Sequence, residues 1–300
     1  MSSMESKWRW MLVTAIAPIA WGSTYVVTHA LLPAEHPLWG ALIRALPAGL
    51  ILLALARRLP TGSWWWKSLV LGVLNIGAFF VLVYLAAQLL PSSIASTVMA
   101  TSAGVILVLA WPLLSQRPQL VSVIGAAIGF AGVAVMLSPG GEEINGWGVV
   151  VSLTAMMSSS VGFLLARRWG GDVPLLASTA WQLIAGSILL APVALVVEGA
   201  PPALDAGTFW GFAYITVIGT AVAFVAWFAG LRHLPAGVVG VIGLLNPVTG
   251  VLLGTLLVGE VLGINQIVGI GLVLLGVIVG QFAARTSRSP APQPEPAASR

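Results

Sequence analysis

The stretch "YLAAQLLPSSIAST" (residues 84–97) lines up with "FAGLRHLPAGVVGV" (228–241) at an offset of 144 residues, which sets Pro91 on Pro235. The same offset carries Gly125 to Gly269 and Gly132 to Gly276. Earlier in the chain, "PLWGALIRALPAG" (37–49) lines up with "PLLASTAWQLIAG" (174–186) at an offset of 137. The longer loop "EGAPPALDAG" (198–207) takes up the difference. The chain therefore reads as two copies of one unit, and composition says what kind of unit it is.

Apolar residues make up 58% of the chain and charged residues 7%, with a mean hydropathy of +1.01. A water-soluble domain of this length would have to expose large apolar patches to carry that composition. The chain is read as an all-α integral membrane protein. An isoelectric point near 10.1 would suggest nucleic acid as the partner of a soluble protein. Here the basic residues lie in short loops, where they set topology, and no nucleic-acid partner is expected. Cysteine is absent, which excludes disulfides, thiolate metal sites and a cysteine nucleophile.

Apolar runs bounded by charge, proline or glycine give ten spans, at about 10–32, 37–56, 64–87, 92–114, 119–138, 146–166, 173–196, 208–230, 236–258 and 264–283. Threaded through them, Lys7, Arg9, Arg57, Arg58, Lys67, Arg117, Arg167, Arg168, Arg232, Arg285, Arg288 and Arg300 fall on one side. Glu35, Glu142, Glu143, Glu198, Asp205 and Glu260 fall on the other. A missed or invented span would scramble this segregation, which predicts a multi-pass plasma-membrane protein with both termini cytoplasmic. Trp8, Trp10, Trp64, Trp65, Trp66, Trp111 and Trp169 cluster near the same cytoplasmic helix ends, where indole favours the interface.

The domain reading is a cytoplasmic N-terminus (1–9), a first five-helix repeat (10–138), a second (146–283) and a disordered Pro/Ala/Ser-rich cytoplasmic tail (284–300). Five spans per half is an odd number, so the second half must enter the membrane from the opposite side. Inverted repeats of this kind mark secondary transporters, whose inward- and outward-open states they make nearly equivalent.

Several segments also resemble the EamA family of the drug/metabolite transporter superfamily. They are "WGSTYVVT" (21–28), "RALPAG" (44–49), "VLNIGAFF" (73–80), "YLAAQLLP" (84–91), "LLNPVTGVLLGTLLVGE" (244–260) and the Gly-rich spans five and ten. The resemblance covers about residues 8–283. It implies a ten-helix fold of two inverted halves around a central cavity, and efflux of small metabolites such as amino acids or aromatic compounds. One departure is visible: the Gly-Glu that these proteins often carry at the end of span four is replaced by Gln116, opposite Glu260.

In inverted-repeat carriers the substrate lies near the midplane, where helices are interrupted. Asn246 and Pro247 break the centre of span nine, because proline removes one helical hydrogen bond and blocks another. At the 144 offset they correspond to Ser102 and Ala103, beside Thr97 and Thr101 of span four. Spans one and six form the second pair: Gly22, Ser23 and Thr24 correspond to Ser159, Ser160 and Val161, with Trp21 and Tyr25 adding aromatic walls. The serines read equally as helix-packing residues. Trp181 and Gln182 of span seven join the expected cavity, with Asn75, Tyr84, Tyr214 and Trp227 as weaker candidates. Glu260 ends span nine on the outer side, as a contact to a helix terminus or as a gate or coupling site.

Arg44 is the one basic residue outside the topology-setting set, near the middle of span two. An arginine at a helix centre costs ~2.5 to 3.5 kcal/mol to insert, against about 0.3 to 0.6 gained by each leucine or isoleucine around it. The helix can therefore insert without a partner. In the folded bundle the guanidinium still needs acceptors, either carbonyls freed around Pro18, Pro47 or Pro247, or a substrate carboxylate.

His29, His36 and His233 sit at helix ends, no acid pair lies within a span, and no Walker-type loop is present. Neither catalysis nor a cofactor or metal is expected. The expectation is an exporter working by alternating access, with a small-molecule substrate and the lipid bilayer as partners. The alternative is a membrane enzyme or flippase for a lipid-linked substrate, which would need a lateral opening and titratable groups at one face. "GAAIGFAG" (125–132) and "GLVLLGVIVG" (271–280) read as packing faces of a monomer, with a dimer contact left open.

Overall fold

The computed structural model describes residues 3–115, 120–137, 144–171, 173–234, 239 and 242–286, and among these it is helical without strands. Gln116, Arg117, Glu142, Glu143 and Pro235, and the tail beyond Thr286, lie outside the described residues. The helices are α1 (Ser3–Leu31), α2 (Pro37–Ala56), α3 (Trp64–Gly72), α4 (Ala78–Leu89), α5 (Ser92–Ala100), α6 (Ser102–Leu114), α7 (Leu120–Met136), α8 (Gly146–Gly170), α9 (Leu175–Val197), α10 (Ala206–Thr216), α11 (Ala223–His233), α12 (Leu245–Leu253) and α13 (Ile264–Thr286). One π-turn (Val73–Gly77) joins α3 to α4, another (Val217–Val222) joins α10 to α11, and a third (Gly254–Val258) follows α12.

Local chemistry sets the boundaries. Pro37 opens α2, where its missing N–H costs nothing, and the helix stops as Arg57 turns left-handed at φ 51°. Asn145 caps α8 by accepting from the Trp147 and Gly148 amides at 3.0 and 3.1 Å. Asp205 caps α10 by accepting from the Thr208 amide at 2.7 Å. That bond holds its carboxyl below the usual carboxylate range.

Six helical stretches are long and apolar enough to cross a bilayer: Trp8–Leu31, Pro37–Ala56, Trp64–Leu89, Gly146–Gly170, Leu175–Val197 and Ala206–His233. Of the other expected spans, the one at 92–114 is a helix pair bent by 41°. The remaining three are the shorter apolar helices Val123–Met136, Leu245–Val258 and Ile264–Val279. The outer faces carry exposed apolar side chains along their whole length, among them Leu12, Val196 and Leu256. Only hydrocarbon solvates such a surface.

Between helices, α7 packs along α13, α2 along α9, α5 on α12, α4 on α8 and α1 on α11. The α7–α13 contact is backbone on backbone. A Cβ at Gly269 would lie 2.5 Å from the Gly132 carbonyl oxygen, and one at Gly276 2.5 Å from that of Gly125. No side chain fits there, so the two Gly-rich faces pack within the bundle, against each other.

Two carboxylates tie the ends of helices in the second half to the starts of helices in the first. Glu198, just past α9, accepts from the Leu38 and Trp39 amides at 2.7 and 3.0 Å. Glu260, past α12, accepts from the Ser92 amide at 2.5 Å and from the Ser93 amide and hydroxyl at 3.1 and 2.6 Å. Both place a negative charge on the orphan N–H groups of a helix start, at the end of the bundle rich in acidic residues. Of the two readings of Glu260, the helix-terminus contact is thus formed.

Candidate functional site

Arg44 lies on the buried face of α2 with 8% of its surface accessible. Its Nε donates to Thr220 Oγ1 at 2.9 Å and its Nη2 to the Gly219 carbonyl at 3.3 Å. The guanidinium carbon stands 4.2 Å from the centre of the Phe80 ring, a cation–π contact inside the bundle. Thr220 and Gly219 belong to the π-turn Val217–Val222, where the helical ladder skips a residue and leaves a carbonyl free to turn aside. The sequence pointed to carbonyls around Pro18, Pro47 or Pro247; the acceptors come from this π-turn instead, since a π-turn needs no proline to release a carbonyl.

The second half has a counterpart. Gln182 on α9 accepts through Oε1 from Asn75 Nδ2 at 2.8 Å, and Asn75 sits in the π-turn Val73–Gly77. Ser158 Oγ donates to the Leu74 carbonyl of that turn at 2.7 Å. Gly162 makes the approach possible, since a Cβ there would overlap the Asn75 side chain. The two π-turns begin at Val73 and Val217, the 144-residue offset seen in the sequence. In each half a polar side chain of the second helix therefore reaches a π-turn in the other half.

Phe80 supplies an aromatic wall to Arg44, and α1 and α11 carry a second aromatic cluster. Phe79 and Phe80 have centroids 5.8 Å apart, and Trp21 meets Phe224 at 5.8 Å and Trp227 at 5.3 Å. Tyr25 is buried at 4% accessibility. Phe80, Phe224 and Thr220 were not singled out from sequence, although Phe80 and Phe224 stand at the 144 offset; that repeat was the signal available.

The other expected site residues divide. Asn246 and Pro247 do mark a break: α12 restarts at Leu245, so Pro247 falls in its first turn. The Gly243 carbonyl that Pro247 cannot bond accepts from the Asn246 amide at 3.1 Å. Asn246 Oδ1 is buried with no partner among the described residues. Its backbone oxygen presses on Gly22 of α1, where no Cβ would fit. Thr97 and Ser160 turn their hydroxyls back onto their own helices, to the Ser93 and Met156 carbonyls at 2.6 and 2.7 Å. Thr101 bonds the Val98 carbonyl at 2.7 Å and contacts Met156 Sδ at 3.0 Å. Trp181 points to the basic end of the bundle, donating to the Arg58 carbonyl at 2.7 Å and packing on Trp64 at 5.5 Å. It is separated from Arg44 although it is that residue's repeat counterpart. Among the weaker candidates, Tyr84 donates to the Pro33 carbonyl at 2.7 Å and Tyr214 shares a 2.7 Å bond with Ser23.

A groove of about 520 Å³ runs between α1 and α10, lined by Val27, Leu31, Trp210, Ala213, Tyr214, Val217 and Ile218. No charged side chain lines it. Among the described residues no three His, Asp or Glu side chains gather in a way that could hold a metal.

The description of the EamA-like transporter family matches residues 8–138 and again 146–280. The chain belongs to the EamA-like transporter family. It is 35% identical over 274 residues to Protein PecM of Dickeya dadantii (strain 3937), covering 91% of this chain and 92% of that one. To the uncharacterized inner membrane transporter YedA of Escherichia coli (strain K12) it is 29% identical over 270 residues, covering 87% of each. A probable amino-acid metabolite efflux pump of Salmonella typhimurium is 25% identical over 211 residues, covering 67% of this chain and 71% of its own. A solved crystal structure superposes with a TM-score of 0.64 at 21% identity, covering 94% of this chain and 99% of that one, and so shares the fold. The protein is a multi-pass membrane transporter of this family.

Proposed function

We propose that the chain exports small metabolites across the cytoplasmic membrane by alternating access, as a ten-span carrier of two inverted five-helix repeats with both termini cytoplasmic. Support for the repeat comes from helix pairing that maps onto itself when the halves are exchanged, α4 on α8 answering α1 on α11. Further support comes from paired π-turns at the 144 offset and a family match in two successive segments. The observation that carries the transport site is Arg44: a guanidinium held at mid-span between a π-turn and an aromatic ring, in a chain whose relatives are named as transporters. Tyr25, Trp21 and Asn246 complete the proposed cavity, Thr97, Thr101, Ser160 and Gln182 shape the helices around it, and Glu260 latches the outer end. Amino acids and aromatic metabolites are the proposed substrates, moved as a carrier moves them and without catalysis.

A lipid-linked substrate entering sideways is the second reading, favoured by the apolar groove between α1 and α10. That groove offers no charged group for a headgroup, which places it below the exporter reading. The test is reconstitution into liposomes with labelled amino acids and aromatic metabolites, expecting saturable flux for at least one class. Absence of flux for all of them, with scrambling of a labelled lipid instead, would replace the exporter by the flippase.

A further inference from the structure

We propose that the Arg44 site selects a net monoanion, a small aromatic carboxylate without an amino group, and that the Tyr25 hydroxyl is the second anchor that sets this specificity. This rests on the exporter reading and narrows it.

Arg44 has five N–H donors. The Nε donor and one on Nη2 are committed to Thr220 and Gly219. Nη1 has no partner among the described residues, yet it is not one of the buried polar atoms sealed away from space. Both its protons are therefore without a protein acceptor among the described residues, on an atom that keeps some accessible surface. The Tyr25 hydroxyl is in the same condition: its side chain is buried, the oxygen has no partner among the described residues, and it too is not sealed. The two lie close enough for the charge of Arg44 to act on Tyr25. Geometry explains why. Thr24, the neighbour of Tyr25, packs on Gly219, where an added Cβ would lie 3.1 Å from the threonine hydroxyl. Gly219 is the residue whose carbonyl holds Arg44. One contact between α1 and the π-turn thus fixes both donors.

Phe80 covers one face of the guanidinium and the π-turn occupies its Nε edge, so the donors left for a ligand are the two on Nη1 and the second on Nη2. A carboxylate there accepts from Nη1 with one oxygen and from Tyr25 with the other, both charge-assisted bonds in a site without bulk water. Phe79, next to Phe80 in the chain, is half-buried against both main core clusters and offers a flat ring a surface to stack on.

The sign of the site excludes an ammonium group. None of the chain's nine acidic residues lies within a span. An amino acid's positive group would therefore enter a cavity whose fixed charge is already positive, with no carboxylate to meet it. A net anion neutralises that charge; a zwitterion does not.

The full-length protein in liposomes, with flux through protein-free liposomes subtracted, tests this with four probes sharing one ring: indole-3-acetate, indole-3-acetamide, tryptophan and tryptamine. Saturable flux is expected to favour the acetate over tryptophan and acetamide by roughly tenfold or more, the scale of one hydrogen bond to a charged group, with tryptamine the poorest. Tyr25→Phe removes only the hydroxyl and is expected to cut the acetate-to-acetamide ratio by about tenfold. Arg44→Lys, which keeps the charge, is expected to retain a preference for the acetate. Better flux of tryptophan or tryptamine than of the acetate would overturn the proposal and leave the exporter standing, as would a Tyr25→Phe ratio equal to wild type. No saturable flux of the four, beside saturable flux of another metabolite, would overturn this proposal alone, and no flux across the whole metabolite panel would remove the exporter as well.

Discussion

Arg44 shows how far a single residue can be read. A charge at mid-span announces itself, because the bilayer makes it costly and composition leaves it without an acid partner. Its acceptor does not announce itself: a π-turn inserts one residue into the ladder without the proline or glycine pair that marks a kink. Likewise Trp181, the strict repeat counterpart of Arg44, was read into the substrate cavity, but its indole reaches the Arg58 carbonyl at the basic end. The neighbouring Gln182 instead makes the inter-half bond, about 100° further round the helix. Arg44→Ala is expected to abolish transport, since it removes the guanidinium and strands Thr220 and the Gly219 carbonyl without a donor. Flux assays at matched membrane abundance check this; transport retained at wild-type expression would take Arg44 out of the site.

At the scale of helices, the span at 37–56 was legible to the residue, because Pro37 starts it and Arg57–Arg58 stop it. Span four was read as one helix but is bent by 41°. The sequence mark was there to be read: Pro112 cannot donate to the Val108 carbonyl, and the bend falls between Ile106 and Val108. The carboxylate caps were half legible: a helix terminus was expected for Glu260, but which one depends on the partner half. Glu260→Ala would leave the Ser92 and Ser93 amides unpaired and is expected to lower stability by about 1–3 kcal/mol. Glu260→Gln keeps an acceptor without the charge and should lose less. Thermal unfolding in detergent ranks the three proteins, and an alanine variant as stable as wild type would deny the cap any energetic role.

For the whole molecule, the charge segregation along the sequence and the packing of the helices describe the same object from two sides. On the proposed topology, basic residues at one end and carboxylate caps at the other put alternate loops in opposite compartments. Because the chain lacks cysteine, a single introduced thiol reports cleanly. Ala203→Cys, in the loop before α10, is expected to react with a membrane-impermeant maleimide in intact cells. Thr61→Cys, in the loop before α3, is expected to react only after permeabilisation. The opposite pattern would invert the orientation.

The glycine contact between α7 and α13 has one more consequence. Most helix pairs must immobilise long side chains when they meet, and that loss of rotamer freedom offsets part of what packing gains. Where Gly132 and Gly276 touch the opposing backbone, there are no rotamers to freeze. Adhesion there comes almost wholly from dispersion between rigid surfaces. Such a seam holds its strength as temperature rises, and it cannot slide by a residue without driving a side chain into a backbone. The α7–α13 pair is therefore suited to stay fixed as one body through the alternating access proposed for the chain.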